Sequence, residues 1–223
     1  MSDISTRRDQ YETRGLEVGD LADEPMEQWQ RWYAQAVDAG CVEPNAFVLG
    51  TVDLDGGPDA RYVLARSADE HGFAFHTNYE STKSRQLLAE PRASAVFGWL
   101  QLHRQVRVIG TVELLDVADS DAYFASRPRE SQIGAWASPQ STPLPDRAAL
   151  ERQVADIAAS FAAVEHIPRP AFWGGWLLRP SRFEFWQGRR NRLHDRLAYR
   201  RPDGDDDLAD HPTGGWLIER LAP

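Results

Sequence analysis

The chain has 223 residues, of which 42% are apolar and 26% are charged, a composition typical of a folded globular protein and not of a disordered chain. Its 25 basic and 34 acidic residues give a formal net charge of −9, which argues against a general nucleic-acid-binding protein. No apolar run approaches the ~20 residues that span a bilayer, and the first residues lack the apolar stretch of a signal peptide. We therefore expect a cytoplasmic protein with neither a membrane nor a nucleic acid as partner.

The single Cys41 excludes a disulfide framework within the chain, and the six histidines lack zinc-ligand spacing, so no metal site is predicted.

Polar residues without periodicity open the chain and predict a mobile N-terminal arm over residues 1–24. Apolar residues at near-helical spacing then predict an amphipathic helix that begins at Pro25 and stops at Gly40. Three further helical patterns follow, from Ser81 to Pro91, over 120–126 and from near Asp146. Residues 127–141 are polar, contain prolines and carry too few apolar residues for a core strand.

Short apolar and β-branched runs predict a series of strands. They lie at 46–52, 61–65, 73–77, 93–99, 105–115, 172–178, 182–187, 196–201 and 215–221. Helices that are inserted among the strands, rather than alternating with them, argue against a doubly wound parallel sheet. The pattern favours a mainly β protein with peripheral helices around an antiparallel barrel. No linker-like composition divides the chain, so we predict a single domain over 25–223 behind the arm.

Clusters rich in arginine interrupt the apolar strands at 104–108, 126–136 and 186–196. Arginine supplies almost all the positive charge of this chain, because Lys83 is the only lysine. Its planar fork binds phosphate through paired hydrogen bonds, and both arginine and aromatic planes stack on flat heterocycles. The clusters are therefore either solvated surface faces or sites for a phosphorylated, planar ligand. Glycine-rich phosphate loops and the GxSxG elbow are absent from the sequence.

Several segments, taken in order, resemble the pyridoxamine 5′-phosphate oxidases. They are RYVLAR at 61–66, FHTNYESTK at 75–83, RQVRVIGTVELL at 104–115, SRPRESQIGAWAS at 126–138, PRPAFWGGW at 168–176, EFWQGRRNRLHDR at 184–196 and RLAP at 220–223. The resemblance extends from about residue 25 to the C-terminus with few gaps. It implies an FMN-binding split β-barrel, which agrees with the strand pattern, and a homodimer with FMN at the subunit interface.

The resemblance also implies roles for individual residues. It assigns to the flavin Arg61, Val63, Leu64, Arg66, His76, Thr77, Thr82, Lys83, Gln105, Gln140, Ser141, Trp186 and Arg196. It assigns to the substrate Arg8, Tyr11, Arg66, Tyr123, Arg127, Ser131, Arg192 and His194. Arg192 and His194 would be catalytic, lying over the pyridine ring and its reacting carbon, while Arg8 and Tyr11 would close the arm over the pocket. Plain core packing is the alternative for Val63, Leu64 and Trp186.

The implied activity is FMN-dependent oxidation of phosphorylated B6 vitamers, pyridoxamine or pyridoxine 5′-phosphate, to pyridoxal 5′-phosphate, with O2 as acceptor and H2O2 as product. The sequence departs from the family pattern at three positions. Arg66 replaces a usual lysine, His76 replaces a usual tyrosine, and Thr82 replaces an arginine that helps to hold the FMN phosphate. Two alternatives stay open: a related FMN oxidase of another heterocycle, as in phenazine pathways, and a non-catalytic protein that binds flavin or pyridoxal phosphate.

Overall fold

The computed structural model describes residues 10–201 and 215–223. The helices in these ranges are α1 (Pro25–Asp38), α2 (Thr82–Ala89), α3 (Val117–Ser126), α4 (Arg129–Ala137) and α5 (Arg147–Ser160). The strands are β1 (Ala46–Val52), β2 (Pro58–Leu64), β3 (Ser67–Asp69), β4 (Gly72–Asn78), β5 (Arg92–Trp99), β6 (Arg104–Leu114), β7 (Trp173–Gln187), β8 (Asp195–Arg200) and β9 (Leu217–Leu221). The mainly β architecture with peripheral helices is confirmed. Among the helices of these ranges, none has the length and apolar character needed to cross a membrane.

The strands follow one another in the order β2, β1, β5, β6, β7, β4, β3, with β8 beside β7 and β9 beside β8. The pairing is antiparallel between β4 and β7, where His76 faces Gly175, and between β7 and β8, where Trp186 faces Arg196. β7 is one strand where the sequence predicts two. Pro180 has no N–H to donate, and it lies between the stretch of β7 that pairs with β4 and the stretch that pairs with β8.

The described residues fall into two compact units. The first contains residues 10–48, 94–110, 180–201 and 215–223, and the second contains 49–93 and 111–179. In the first, α1 packs its aromatic face inward, with Trp32 edge-on to Phe185 at 5.3 Å between ring centroids. In the second, buried Phe124 and Trp173 form part of a core under α3 and α4. The single-domain assignment for 25–223 stays a prediction.

Helix α4 lies inside the segment 127–141, where the sequence does not predict a helix. Its buried face is only one turn long, at Ile133 and Ala137, so the apolar pattern is too short to be recognised. Buried Gln132 fastens it to the preceding helix, because its Nε2 donates to the carbonyl oxygens of Phe124, Ala125 and Arg127 at the end of α3. The Phe124 carbonyl also accepts the Arg127 N–H, and Gln132 adds side-chain donors from the next helix at this helix end.

Part of the predicted arm is packed in the first unit. Leu16 is buried, and its backbone N–H donates to the Asp195 carboxylate over 3.0 Å. The Tyr199 hydroxyl donates to the carbonyl oxygen of Ala22 over 2.6 Å. These contacts attach residues 16–22 to β8, and the mobility of the arm as a whole stays a prediction.

Candidate functional site

The only lysine of the chain is at the centre of a polar cluster in the second unit. The Nζ of Lys83, in the first turn of α2, donates to Gln140 Oε1 over 2.7 Å, to Thr77 Oγ1 over 3.2 Å and to Ser81 Oγ over 3.3 Å. We call these residues, together with Thr82 and Ser141, the lysine cluster. The backbone N–H of Thr82 donates to Ser141 Oγ over 3.2 Å, which joins the start of α2 to the loop after α4.

The lysine cluster has the electrostatics of an anion site. Burial, together with the nearby charge of Arg61, lowers the pKa of Lys83 to about 8. Within the described residues, no carboxylate lies within ion-pair distance of the Lys83 ammonium. The backbone N–H groups at the start of α2 add partial positive charge at the same place. A phosphate group fits these donors, and its charge would compensate the half-buried ammonium.

Arg61 on β2 is held in one orientation by buried oxygen atoms. Its Nη1 donates to Thr51 Oγ1 over 2.6 Å and to the Leu49 carbonyl over 3.2 Å, and its Nη2 donates to Gln86 Oε1 over 3.0 Å. The same Nη2 pairs with Asp59 Oδ2 over 2.5 Å. Both terminal nitrogens are therefore saturated, and the side chain acts as a fixed cation beside Lys83. The supporting residues Thr51, Asp59 and Gln86 were not identified from the sequence.

Three residues assigned to the flavin lie at partly exposed positions outside the core. Val63 and Leu64 on β2 and Gln105 on β6 are each half-buried. This exposure disfavours plain core packing for Val63 and Leu64, since both keep surface that a ligand can cover.

A second cationic cluster, also in the second unit, contains Arg66, His76, Tyr123, Arg127 and Trp173, and we call it the arginine cluster. The His76 ring stacks on Tyr123 with centroids 3.9 Å apart and on Trp173 at 5.4 Å. The Arg127 guanidinium lies over the Trp173 ring, 4.6 Å from its centroid. Burial lowers the pKa of His76 to about 4, and the charges of Arg66 and Arg127 act in the same direction. The imidazole is therefore neutral at physiological pH.

The junction between α3 and α4 carries three of the residues assigned to the substrate. Tyr123 lies in the last turns of α3, and Arg127 directly follows that helix. Ser131, in the first turn of α4, is half-buried. Arg66 lies between β2 and β3 and is exposed, while its backbone N–H donates to the Ala74 carbonyl.

In the first unit, aromatic rings gather around His194, and we call Tyr11, His103, Trp186 and His194 the histidine cluster. Tyr11 stacks on His103 with centroids 4.2 Å apart, and His194 lies 4.6 Å from Trp186 and 5.9 Å from Tyr11. A Cβ at Gly188 would lie 2.5 Å from the Tyr11 ring, so only glycine lets the arm approach this closely. Arg8, the other arm residue assigned to the substrate, lies outside the described residues.

The turn before β8 sets the orientation of His194. The backbone N–H of Arg189 donates to His194 Nδ1 over 3.1 Å, so the neutral ring carries its proton on Nε2. Burial and the charge of Arg192 lower the pKa of His194, against an opposing effect of Asp195. Arg192 is exposed, and its φ of 62° lies in the left-handed region, a strained conformation that is concentrated at functional turns.

A buried carboxylate positions Arg196 in the first unit. Glu184 Oε1 accepts from Arg196 Nε over 2.8 Å, and Glu184 Oε2 accepts from Arg107 Nη2 over 2.6 Å. Burial alone would raise the pKa of Glu184, but the hydrogen bond from Arg196 and the charge of Arg107 outweigh it and lower that pKa. Glu184 was not identified from the sequence, although a charged residue inside the apolar run RFEFWQ is an unusual feature.

Family models match two stretches of the chain. One, described as "Pyridoxamine 5'-phosphate oxidase", matches residues 33–161, and another, described as "Pyridoxine 5'-phosphate oxidase C-terminal dimerisation region", matches residues 173–223. The curated pyridoxine/pyridoxamine 5'-phosphate oxidase of Salinibacter ruber is 48% identical over 223 residues, 100% of each chain. That of Bordetella petrii is 50% identical over 220 residues, 99% of each chain.

Two solved structures have a similar fold. PhzG from Burkholderia lata 383, in complex with tetrahydrophenazine-1-carboxylic acid, has a TM-score of 0.84 at 30% identity, over 96% of this chain and 100% of that one. A pyridoxamine 5'-phosphate oxidase-related, FMN binding protein from Nostoc punctiforme has a TM-score of 0.65 at 20% identity, over 87% of this chain and 97% of that one. The likeness confirms the antiparallel split-barrel fold. Since relatives of nearly half identity extend over its whole length, the chain belongs to the pyridoxamine 5′-phosphate oxidase family.

Proposed function

We propose that this protein is an FMN-dependent oxidase that converts pyridoxamine 5′-phosphate, pyridoxine 5′-phosphate or both to pyridoxal 5′-phosphate, with O2 as electron acceptor and H2O2 as product. The observation that carries the proposal is the presence of two cationic clusters in one unit, around Lys83 and around Arg127. Neither cation has a carboxylate partner within the described ranges. FMN and a phosphorylated vitamer each bring one phosphate, so two anion sites correspond to two ligands. The names of the full-length relatives support the same activity.

The lysine cluster fits the phosphate of FMN. Lys83, Thr77 and Ser141 would hold the phosphate oxygens, with Arg61 as a fixed cation nearby. Gln105, Trp186 and Arg196 would contact the flavin ring. When bound, FMN supplies the two-electron acceptor for the reaction.

The arginine cluster would hold the phosphate of the vitamer. Arg66 and Arg127 supply charge, and the hydroxyl groups of Tyr123 and Ser131 supply neutral donors. Anchoring the phosphate at one end of a small planar substrate restricts the position of its reacting carbon. Such positioning accounts for a large share of catalysis when two groups react at about 3–3.5 Å.

Arg192 and His194 would act at the pyridine ring. His194 is held by the Arg189 N–H at Nδ1, so its Nε2–H is the group available to the substrate. For the alcohol, the carbon loses one hydrogen and the hydroxyl loses another, and both appear in H2O2. For the amine, water hydrolyses the imine after the same two-electron oxidation and releases ammonia. Tyr11 and Arg8 of the arm would cover the bound substrate.

The assembly we propose is a homodimer with FMN at the subunit interface. The match of residues 173–223 to a C-terminal dimerisation region supports it.

A related oxidase of another heterocycle is the second candidate, because PhzG has a closely similar fold at 30% identity. The test is a turnover assay on the FMN-loaded protein with pyridoxine 5′-phosphate, pyridoxamine 5′-phosphate and tetrahydrophenazine-1-carboxylic acid. Formation of pyridoxal 5′-phosphate with an equal amount of H2O2 supports the proposal. Peroxide from the phenazine compound alone supports the second candidate, and binding of pyridoxal 5′-phosphate without turnover of any substrate indicates a non-catalytic binding protein.

A further inference from the structure

His76 is a half-buried histidine whose two ring nitrogens are buried without a hydrogen-bond partner among the described residues. Both ring nitrogens, Nδ1 and Nε2, are shielded from solvent, and neither has a partner in the described part of the chain. A buried polar atom without a partner costs about 1–3 kcal/mol, so native proteins rarely leave two on one side chain. The two ring nitrogens are therefore unfavourable in the ligand-free protein, and a bound group that forms a hydrogen bond with the ring would remove this cost.

The space for the imidazole is built into the strand pair. His76 faces Gly175 across β4 and β7, and a Cβ at Gly175 would lie 3.0 Å from His76 Nε2. Tyr123 and Trp173 lie nearly parallel to the imidazole ring. The fold therefore fixes the plane of the imidazole, and only its edge remains for hydrogen bonding.

The surroundings of this edge are positively charged. Arg66 and Arg127 both act on His76 electrostatically, and Arg127 also has a buried Nη1 without a partner. Neither arginine forms an ion pair within residues 10–201 and 215–223. Two uncompensated guanidinium groups exclude a metal ion as the ligand. They favour an anion with several acceptor oxygens, which would accept from Arg127 Nη1 and from the imidazole N–H together.

We propose that His76 is a fifth ligand of the substrate-phosphate site, where its imidazole N–H donates to the phosphate ester and distinguishes phosphorylated from unphosphorylated vitamers. The inference rests on the proposed function, since it takes the four residues assigned there, Arg66, Tyr123, Arg127 and Ser131, as the other phosphate ligands. It moves His76 from the flavin, where the resemblance places it, to the substrate. The chemistry required is that of a phosphomonoester on a planar aromatic ring.

The test measures binding to the FMN-loaded protein of 4-deoxypyridoxine 5′-phosphate and of 4-deoxypyridoxine, which cannot be oxidised at the 4′ carbon. His76→Phe keeps the stacked ring and removes the N–H. We expect its Kd for the phosphate ester to rise about tenfold or more, because a hydrogen bond to a charged acceptor is lost, while the Kd for the unphosphorylated compound changes less than about twofold. His76→Gln, which keeps an N–H donor, should bind the ester within about threefold of the parent protein. The control is His71→Phe, a substitution of an exposed histidine five residues earlier, which should change neither Kd.

Other outcomes overturn the inference in distinguishable ways. If His76→Phe weakens both compounds equally, or neither, His76 is not a phosphate ligand. If the variant loses FMN and still binds the ester normally, His76 belongs to the cofactor site. If the parent protein itself shows no preference for the phosphorylated compound, the proposed function fails and not only the role of His76. Thermal unfolding checks the fold: removing an unpartnered polar ring should leave the Tm of the ligand-free protein unchanged or raise it.

Discussion

The Nζ of Lys83 lies 2.7 Å from the Oε1 of Gln140, although 57 positions separate the two residues in the chain. The hydrogen bond connects the start of α2 to the loop after α4 and places a partly desolvated ammonium among neutral oxygens. A cation in such a place is stabilised when a phosphate arrives.

The chemical reactivity of Lys83 should therefore report on FMN binding. With a pKa of about 8, a large share of Lys83 is the neutral amine at pH 8, and it should react readily with an acetylating reagent in the FMN-free protein. Bound FMN should cover the amine and raise its pKa, slowing acetylation by about tenfold or more. Mass spectrometry separates Lys83 from the N-terminal amine, which serves as an internal control. Equal rates with and without FMN would place the flavin phosphate elsewhere.

Arg85 should supply the positive charge that Thr82 does not. Its Nη2 lies 3.4 Å from Thr82 Oγ1, one turn along α2, and its Nη1 donates to the Glu80 carbonyl. We expect Arg85→Gln to raise the Kd for FMN by about three- to thirtyfold, in the range for a charged hydrogen bond at an exposed site. Thr82→Arg should tighten FMN less than about threefold, because a guanidinium is already present there.

The matched control is Arg92→Gln, which removes an exposed arginine whose partner is Glu90. Titration of FMN-free protein with FMN measures all three variants. A strong gain from Thr82→Arg, with no loss from Arg85→Gln, would show that Arg85 does not replace the missing arginine.

Glu184 should stabilise the first unit and fix the orientation of Arg196. Its side chain is 5% exposed and is shared by Arg107 and Arg196. Glu184→Gln should lower the free energy of unfolding at pH 7 by about 2–3 kcal/mol, less than for a fully buried pair since both arginines are partly exposed. Because the pKa of Glu184 is lowered on folding, its contribution is present above the unfolded value of 4.5 and is lost as the pH falls through the folded value.

Denaturant unfolding at pH 7 and at pH 4 checks this prediction. The difference in the free energy of unfolding between the parent protein and Glu184→Gln should be smaller at pH 4 than at pH 7. The control is Glu219→Gln, since Glu219 pairs with Arg200 at a more exposed position on β9. A difference that stays constant with pH would mean that the carboxylate charge is not what stabilises the pair.

The elements that sequence predicts well are those with a long apolar pattern. The α5 helix begins after Asp146 as expected, because the Asp146 carboxylate accepts the N–H of Ala149 as an N-cap. The alternation of β6 is confirmed, with Val106 and Val108 fully buried. The α4 helix was missed because what fixes it is Gln132, whose partners are carbonyls of the preceding helix.

The residues of the candidate site could be predicted mainly from the family resemblance. The residues that support them could not be predicted from the sequence. Resemblance identified Lys83 and Arg196, but Gln86 and Glu184 act through contacts 25 and 12 positions away that no local pattern contains. The same holds for Trp173, whose position under Arg127 depends on the pairing of β7 with β4.

The protein should be a homodimer in solution. The C-terminal residues 173–223 match a dimerisation region, and the proposed flavin site needs both subunits. Sedimentation equilibrium of the FMN-loaded protein should give twice the chain mass of 25.2 kDa. A stable monomer that retains FMN would contradict both the assembly and the shared site.

His194 should affect the chemical step far more than cofactor binding. Its Nδ1 accepts the Arg189 N–H over 3.1 Å and its lowered pKa favours the neutral ring, so the Nε2–H would be the group that meets the substrate. We expect His194→Ala to lower kcat for pyridoxine 5′-phosphate by about 10²–10⁴-fold, the usual contribution of a group that positions or transfers a proton. The Kd for FMN should change less than about threefold, since no flavin phosphate contact is assigned to this residue.

His103→Ala is the matched control, because it removes the other histidine that contacts Tyr11 without removing the proposed catalytic ring. Single-turnover flavin reduction under anaerobic conditions isolates the chemical step from reoxidation by O2. A His194→Ala protein that loses FMN yet reduces it at the parent rate when FMN is in excess would place His194 at the cofactor and not at the reacting carbon.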